Sequence, residues 1–274
     1  MLAGGRSSRM GTSKAALEWH GSTLLRRVTG VVARAVDGPV LVVRAAGQPL
    51  PALAAGVDVL EDLGAGLGPL QGMAVGLAAA AGQAETAFVC STDLPFLHAA
   101  FVRRVIGAFA PGADAVLPIA RGHRQPLAAG YATTLAPVAA ELVAQRRLRP
   151  AFLFDQRLVV QLDAAALLAD PLLARLDPDL DSVVNLNTPA EYDAARAQPA
   201  PQVQVERFGA LAADGHRGPR AVHAATLAGA AAAVRLALDR HVVAALNGDQ
   251  ITRDGDLPLV TGDTVAFLAA DAGG

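Results

Sequence analysis

Between residues 39 and 119 one pattern recurs: a short apolar run without polar alternation, then a longer stretch with helical spacing. The runs are Pro39–Arg44, Val57–Leu60, Thr86–Ser91 and Ala115–Ile119, with a late piece near Val183–Asn185. Strands that lack alternation have both faces buried, and helical crossovers between them make neighbours parallel. The helices predicted around and between them are Thr23–Val36 capped by Ser22, Pro69–Ala81, His98–Ala108, Thr134–Gln145 and Pro189–Ala197. The expectation over residues 1–197 is an α/β domain of three layers with a mostly parallel sheet. Ligands of such sheets gather beyond the carboxyl ends of the strands, so the loops there are the first place to look for chemistry.

The pattern changes at residues 198–201, Gln-Pro-Ala-Pro, which read as a linker. Residues 202–274 then follow a different order. A half-exposed strand at Val203–Phe208 precedes a Gly/Asp/Arg loop and a strand near Ala221–Thr226. A helix over Ala228–Arg240, a strand at Val242–Leu246, a turn at Asn247-Gly248-Asp249 and a strand at Thr264–Leu268 complete it. That is the order of a small α+β, ubiquitin-like β-grasp domain.

Composition excludes several classes. A net charge of −2 lacks the concentrated basic surface that nucleic acid requires. No uninterrupted apolar run approaches the ~18 residues of a membrane span. Glycine and arginine from position 4 onward leave no signal-peptide core, and the single cysteine, Cys90, can form no internal disulfide. Both point to the cytoplasm. Cys90 lies in the run Ala87–Cys90 and reads as a buried small hydrophobe. The six histidines show no zinc spacing.

The glycine-rich opening LAGGRSSRMGTSK carries the densest chemistry. Of 23 basic side chains only one, Lys14, is a lysine, and it ends this string. Arginine replaces lysine readily at exposed sites but poorly where a compact ammonium must reach a phosphate. Glycines let backbone N–H groups approach a polyphosphate, which fixed charges then neutralise. The string is neither a Walker A loop nor a dinucleotide fingerprint, and by itself a plain turn remains an alternative.

Four further strings accompany it: Gly68-Pro69-Leu70-Gln71-Gly72-Met73, Thr92-Asp93-Leu94-Pro95, Arg124-Gln125-Pro126 and Asn185-Leu186-Asn187-Thr188-Pro189. With the opening string, the first, second and fourth resemble, in order, the motifs of the molybdenum cofactor guanylyltransferase family over residues 1–197, and Arg124-Gln125-Pro126 looks like a turn of that family near its second substrate. The resemblance implies a Rossmann-like nucleotidyltransferase in which GTP meets Leu2, Ala3, Gly4, Gly5, Lys14, Asp62, Gly68, Pro69 and Asp93. It implies Mg²⁺ on Asp93 and Asn187, and catalysis by Lys14, Arg9 and Asp93. A phosphate of molybdopterin would attack the α-phosphorus of GTP and expel pyrophosphate, with no strong general base needed. Bland alternatives stand beside these roles. Asp93 could cap the helix near His98, Asp62 could be a solvated loop carboxylate, and Asn187 could only form a turn. CTP, or another small acceptor, is the alternative substrate.

Three departures from that family stand out. Its members carry a central strand immediately before the LAGG string, whereas only Met1, Leu2 and Ala3 precede Gly4 here. The expectation is a truncated first strand whose missing part is encoded upstream. Arg44 stands where an asparagine is frequent, and Ser13 where Asp or Asn usually precedes the lysine.

The tail carries a second resemblance. Leu259–Phe267 has the Leu-x-x-Gly-Asp-x-Val-Ala-Phe pattern, and the chain ends Gly273-Gly274. These features are similar to the β-grasp sulfur carriers, the family of the molybdopterin synthase small subunit. A side-chain-free terminus can thread into partner active sites. The resemblance implies thiocarboxylation at Gly274, with an E1-like adenylating enzyme and the molybdopterin synthase large subunit as partners. Ala269, Ala270 and Asp271 replace the two prolines usual there. A degenerate carrier domain, or a carrier joined to an inactive transferase half, are the competing readings.

Overall fold

The computed structural model describes residues 1–4, 13–62, 64, 66–212 and 218–270. The chain divides into two compact units, one of Met1–Leu17 with Leu24–Tyr192, the other of Glu18–Thr23 with Asp193–Gly274. Among the described residues no helix is long and apolar enough to cross a membrane.

In chain order a small hairpin comes first, β1 (Glu18–Trp19) and β2 (Ser22–Thr23), and it groups with the second unit. Ser22 and Thr23, expected to open a helix, are instead paired in this hairpin. The first unit continues with α1 (Leu24–Ala33), β3 (Val40–Ala45), β4 (Val57–Asp62) and α2 (Pro69–Ala80). Next come β5 (Thr86–Cys90), α3 (Ala99–Ile106), β6 (Ala115–Ala120), β7 (His123–Arg124), β8 (Ala128–Ala132) and α4 (Ala136–Ala144). It ends with β9 (Val159–Leu162), α5 (Ala164–Leu168), α6 (Pro171–Leu176) and α7 (Pro189–Arg196), the unit boundary falling within α7.

Residues 1–3 lie at the middle of this unit's sheet. Leu2 forms parallel bridges to Val43 on one side and Ser91 on the other, so it joins β3 to β5. Leu2 N–H donates to the Cys90 carbonyl and Ala3 N–H to the Val43 carbonyl, both at 2.8 Å. The Met1 ammonium donates to the Leu41 carbonyl at 2.6 Å, and burial lowers its pKa. Period-two alternation then sends successive side chains to opposite faces. Leu2 and Val43 pack with Leu70, Met73 and Leu77 of α2, whereas Ala3 and Val42 pack with Leu25 of α1. Gly72 lets α2 sit close: a Cβ there would lie 3.1 Å from a methyl of Leu2. Helices on both faces give the expected three layers.

The sheet is mixed rather than mostly parallel. β3 and β4 are parallel, as are β6 and β9, but β8 runs antiparallel between β5 and β6. The strand expected near Val183–Asn185 is also absent. Asp181–Val183 forms a 3₁₀ turn after Leu180 at φ 52°, which buries Ser182 and Val183 without strand pairing.

The second unit contains β10 (Gln202–Arg207), β11 (Arg220–His223), α8 (Leu227–Ala233), β12 (Val242–Leu246), β13 (Gln250–Thr252) and β14 (Thr264–Ala269). Its strands lie in the order β11-β10-β14-β12-β13, with β10 and β14 parallel and the other neighbours antiparallel. Alternation again selects the core face: Val203, Val205, Val265 and Phe267 pack with Leu227 and Ala230 of α8. The helix expected to reach Arg240 stops at Ala233. Leu236 N–H returns to the Ala231 carbonyl at 2.9 Å and Arg235 takes φ 56°, the geometry of a Schellman stop.

Candidate active site

Three segments distant in sequence meet at the carboxyl end of β5. Lys14 sits on a 3₁₀ turn, Lys14–Ala16, anchored from below by Ala15, which is buried against Ala3, Leu25 and Val42. Asp93 lies three residues past β5, in a loop whose Leu94 and Pro95 are buried. Buried Arg27 of α1 donates its Nε–H to the Pro95 carbonyl and holds that loop from beneath. Asn187 precedes α7 and is exposed.

Lys14 Nζ donates to Asp93 Oδ2 at 2.8 Å and to Asn187 Oδ1 at 3.3 Å. The Ser91 hydroxyl donates to the other carboxylate oxygen of Asp93. A backbone bond joins the two loops, from Leu186 N–H to the Asp93 carbonyl at 3.1 Å. Asp93 does not cap the following helix. The cap of α3 is His98, whose Nδ1 accepts from Ala100 N–H at 3.0 Å. Its carboxylate is thereby left to the cluster with Lys14.

A second group lies at the carboxyl ends of β3 and β4. Gly4 passes so close to β3 that a Cβ on it would lie 3.2 Å from the Ala45 nitrogen. Ala45 pairs with Asp62 across the two strands, and Asp62 Oδ1 accepts from Gly64 N–H at 2.8 Å. Gly68 takes φ 73° and ψ −173° before Pro69 starts α2, a conformation open only to glycine. Leu2 and Ala3 are buried, so only their backbone can face a ligand, and the Ala3 carbonyl already accepts from Gln48 Nε2 at 2.9 Å.

Arg44 is held among these groups. Its guanidinium donates to Glu61 Oε1 at 2.7 Å and to the Gln48 carbonyl at 2.9 Å. Gly5 and Arg9 lie outside the described residues, as do Gly273 and Gly274. Sequence reasoning passed over Ser91, Arg27, Gln48, Glu61 and Glu191. The capping-box spacing from Thr188 to Glu191 was the one signal that could have brought Glu191 forward.

Among the described residues no group of three or more His, Cys, Asp or Glu side chains could by itself hold a metal ion. The cluster instead offers one carboxylate, one amide oxygen and one ammonium on the ligand-binding edge of an α/β sheet. Such a set suits an anionic, phosphate-bearing ligand. An open cavity of about 820 Å³, lined by Gln83, Glu85, Phe109 and Thr134 among others, begins at Thr86, the opposite end of β5. None of the candidate residues lines it.

Known proteins share this unit's fold and family. Residues 1–165 match the family model of the MobA-like NTP transferase domain. A probable molybdenum cofactor guanylyltransferase of Opitutus terrae is 36% identical over 200 residues, which is 73% of this chain and 95% of that protein. A molybdenum cofactor guanylyltransferase of Desulfosudis oleivorans is 31% identical, over 72% of this chain and 93% of its own. In fold, the unit resembles the molybdopterin-guanine dinucleotide biosynthesis protein A of Archaeoglobus fulgidus. The TM-score is 0.55 at 21% identity, over 71% of this chain and 94% of that one.

Proposed function

The chain belongs to the MobA-like NTP transferase family and is a nucleotidyltransferase; from that premise we propose that it transfers GMP from GTP to the phosphate of molybdopterin, with Mg²⁺ at Asp93. The observation that carries this reading is the convergence of Lys14, Asp93 and Asn187 at one strand end. An acceptor phosphate is already anionic at neutral pH, so the reaction needs no strong base. It needs two negative reactants aligned and their repulsion neutralised. Lys14 contributes a fixed positive charge within reach of the triphosphate, and Gly4 keeps side-chain bulk away from β3 where the nucleotide passes. Asp62 and the Gly68–Pro69 turn border the same edge and bound the space for ribose and base.

The donor set fits Mg²⁺, which takes one or two protein oxygens and completes its shell with phosphate oxygens and water. Asp93 and Asn187 would supply those two oxygens, and the bound cation would draw charge from the phosphates. Ser91 steadies the Asp93 carboxylate for this purpose, and Arg27 steadies its loop.

The test offers the protein labelled GTP and CTP in parallel, with Mg²⁺ and molybdopterin. GMP attached to the pterin is the expected product. Preference for CTP would overturn the choice of base while leaving the reaction class in place.

A second activity has its own support. Numbered within the second unit, its strands lie in the order 2-1-5-3-4 with a parallel central pair and one packed helix. This order supports reading the unit as a β-grasp domain, and in sequence β14 is followed by the segment that ends Gly273-Gly274. We read it as a sulfur carrier for molybdopterin synthesis, served by an E1-like adenylating enzyme and the molybdopterin synthase large subunit. Exposure to an adenylating enzyme, ATP and a sulfur donor should convert Gly274 to a thiocarboxylate by mass spectrometry. An unmodified terminus would leave the unit without this role.

A further inference from the structure

Glu191 stands on α7, exposed, and its carboxylate reaches backward along the chain. Oε2 accepts from Thr188 N–H at 3.0 Å, while Glu191 N–H donates to Thr188 Oγ1 at 3.2 Å. This reciprocal pair is a capping box, and it satisfies the start of the helix. The same oxygen also accepts from Asn187 N–H, at 2.6 Å. That bond is the shorter of the two, and the helix does not require it. Asn187 lies outside the helical turn and is exposed, so water alone would satisfy its N–H.

We propose that Glu191 is a positioning residue of the transfer site, which it serves by fixing Asn187. The backbone at Asn187 is held from both sides. Leu186, buried at 2% exposure, donates to the Asp93 carbonyl just before it, and Glu191 binds the N–H groups of Asn187 and Thr188. With those points fixed, Asn187 Oδ1 remains 3.3 Å from Lys14 Nζ instead of sampling solvent. Supporting groups of this kind commonly change activity or metal affinity by about 10–100-fold when removed. The proposal rests on reading the Lys14–Asp93–Asn187 cluster as the transfer site, so its test has one readout that does not depend on activity.

Lys14 is the sole lysine, so ¹³C-lysine labelling of the full chain yields one side-chain signal set from within the site. Asn187→Ala should shift the Lys14 Cε resonance. Glu191→Ala should shift it in the same direction, the double variant should add nothing further, and Glu191→Gln should restore part of the parent position. Thr188→Ala removes the hydroxyl half of the cap but keeps the carboxylate on Asn187, so it should leave the resonance in place. In the transfer assay Glu191→Ala should lower kcat about tenfold, with less effect in an Asn187→Ala background. A Lys14 resonance that Glu191→Ala does not move, or that Thr188→Ala moves equally, would overturn the proposal. So would a resonance indifferent to Asn187→Ala. If the parent protein transfers no GMP yet the lysine coupling holds, the functional reading fails and the positioning contact survives it.

Discussion

Lys14 and Asp93, 79 positions apart in the chain, form an ion pair at 2.8 Å with both side chains less than one-fifth exposed. A partly exposed pair contributes about 1 kcal/mol or less to stability. Its cost to the fold is small, and under the proposed function it holds an ammonium where phosphate charge must be neutralised. Lys14→Ala should therefore leave thermal stability nearly unchanged while slowing GMP transfer by of order 10²-fold or more. Lys14→Arg should not restore the rate, because a planar fork cannot occupy the space of a compact ammonium. Steady-state kinetics beside a thermal melt separates the two effects. Recovery of full rate in the arginine variant would remove the geometric demand.

Arg27 supports Asp93 from below, and removing it should act on both fold and rate. It is 4% exposed and bonds the carbonyl of Pro95, two residues past Asp93. Arg27→Met keeps much of the aliphatic volume but leaves that buried carbonyl without this donor. A loss of about 1–3 kcal/mol is expected. Because the loop would lose its anchor, transfer should also require more Mg²⁺ for half-maximal rate. A destabilised variant with an unchanged Mg²⁺ dependence would confine Arg27 to a structural role.

Both the layered fold and the cluster were readable from sequence where side chains carry a strong signal. Apolar runs such as Val40–Val43 declare a strand buried on both faces, and the lone lysine and paired asparagines stood out against a chain rich in alanine and arginine. The misses share a physical origin. β8 is Ala-Ala-Gly-Tyr-Ala, a composition with little strand preference, and its Gly130 is required because Phe109 leaves 2.7 Å for a Cβ. α8 runs into further alanine, valine and leucine, so nothing in composition marks its end at Ala233. The stop comes from Arg235 adopting a left-handed conformation. Val183–Val184 looks like a strand by hydrophobicity, yet burial is achieved there by a single turn. A contact made through backbone atoms alone, such as Leu186 N–H to the Asp93 carbonyl, leaves almost no trace in residue identity.

Cys90 predicts an alkaline limit to stability. It is 1% exposed in the centre of the sheet, and desolvation raises its pKa from 9.0 to about 11. An unfolded chain releases this proton near pH 9, whereas the native state keeps it until about 11. Between those values the unfolded state binds fewer protons, so stability falls as pH rises, by up to about 3 kcal/mol across the window. Below pH 9 the group contributes no slope. Burial raises the Tyr131 phenol as well, so the comparison must be with Cys90→Ala rather than with neutral pH alone. The variant should lose less stability than the parent between pH 9 and 11 in urea titrations. Equal slopes would mean that the thiol is solvated on this timescale. Native protein should also resist thiol reagents at pH 8 until it is unfolded.

Asp263 ties the second unit's sheet together through hydrogen bonds. Its side chain is 4% exposed; Oδ2 accepts from Val260 N–H at 2.8 Å and Oδ1 from Asn247 Nδ2 at 2.9 Å. Asn247 in turn takes φ 53° and accepts from Thr264 N–H at 2.9 Å. One carboxylate thus ties the turn entering β14 to the turn leaving β12, which fixes the register of the central antiparallel pair. Asp263→Ala strands the N–H of buried Val260, while Nδ2 of exposed Asn247 can turn to water, and should cost about 1–3 kcal/mol. Asp263→Asn retains one acceptor but sets an amide N–H₂ against a donor, so an intermediate loss is expected. Hydrogen exchange at the amides of β10, β12 and β14 measures this directly. Accelerated exchange in all three strands, larger for alanine than for asparagine, is the expected outcome. Unchanged protection in β12 and β14 would mean that packing around Phe267 alone holds the two strands in register.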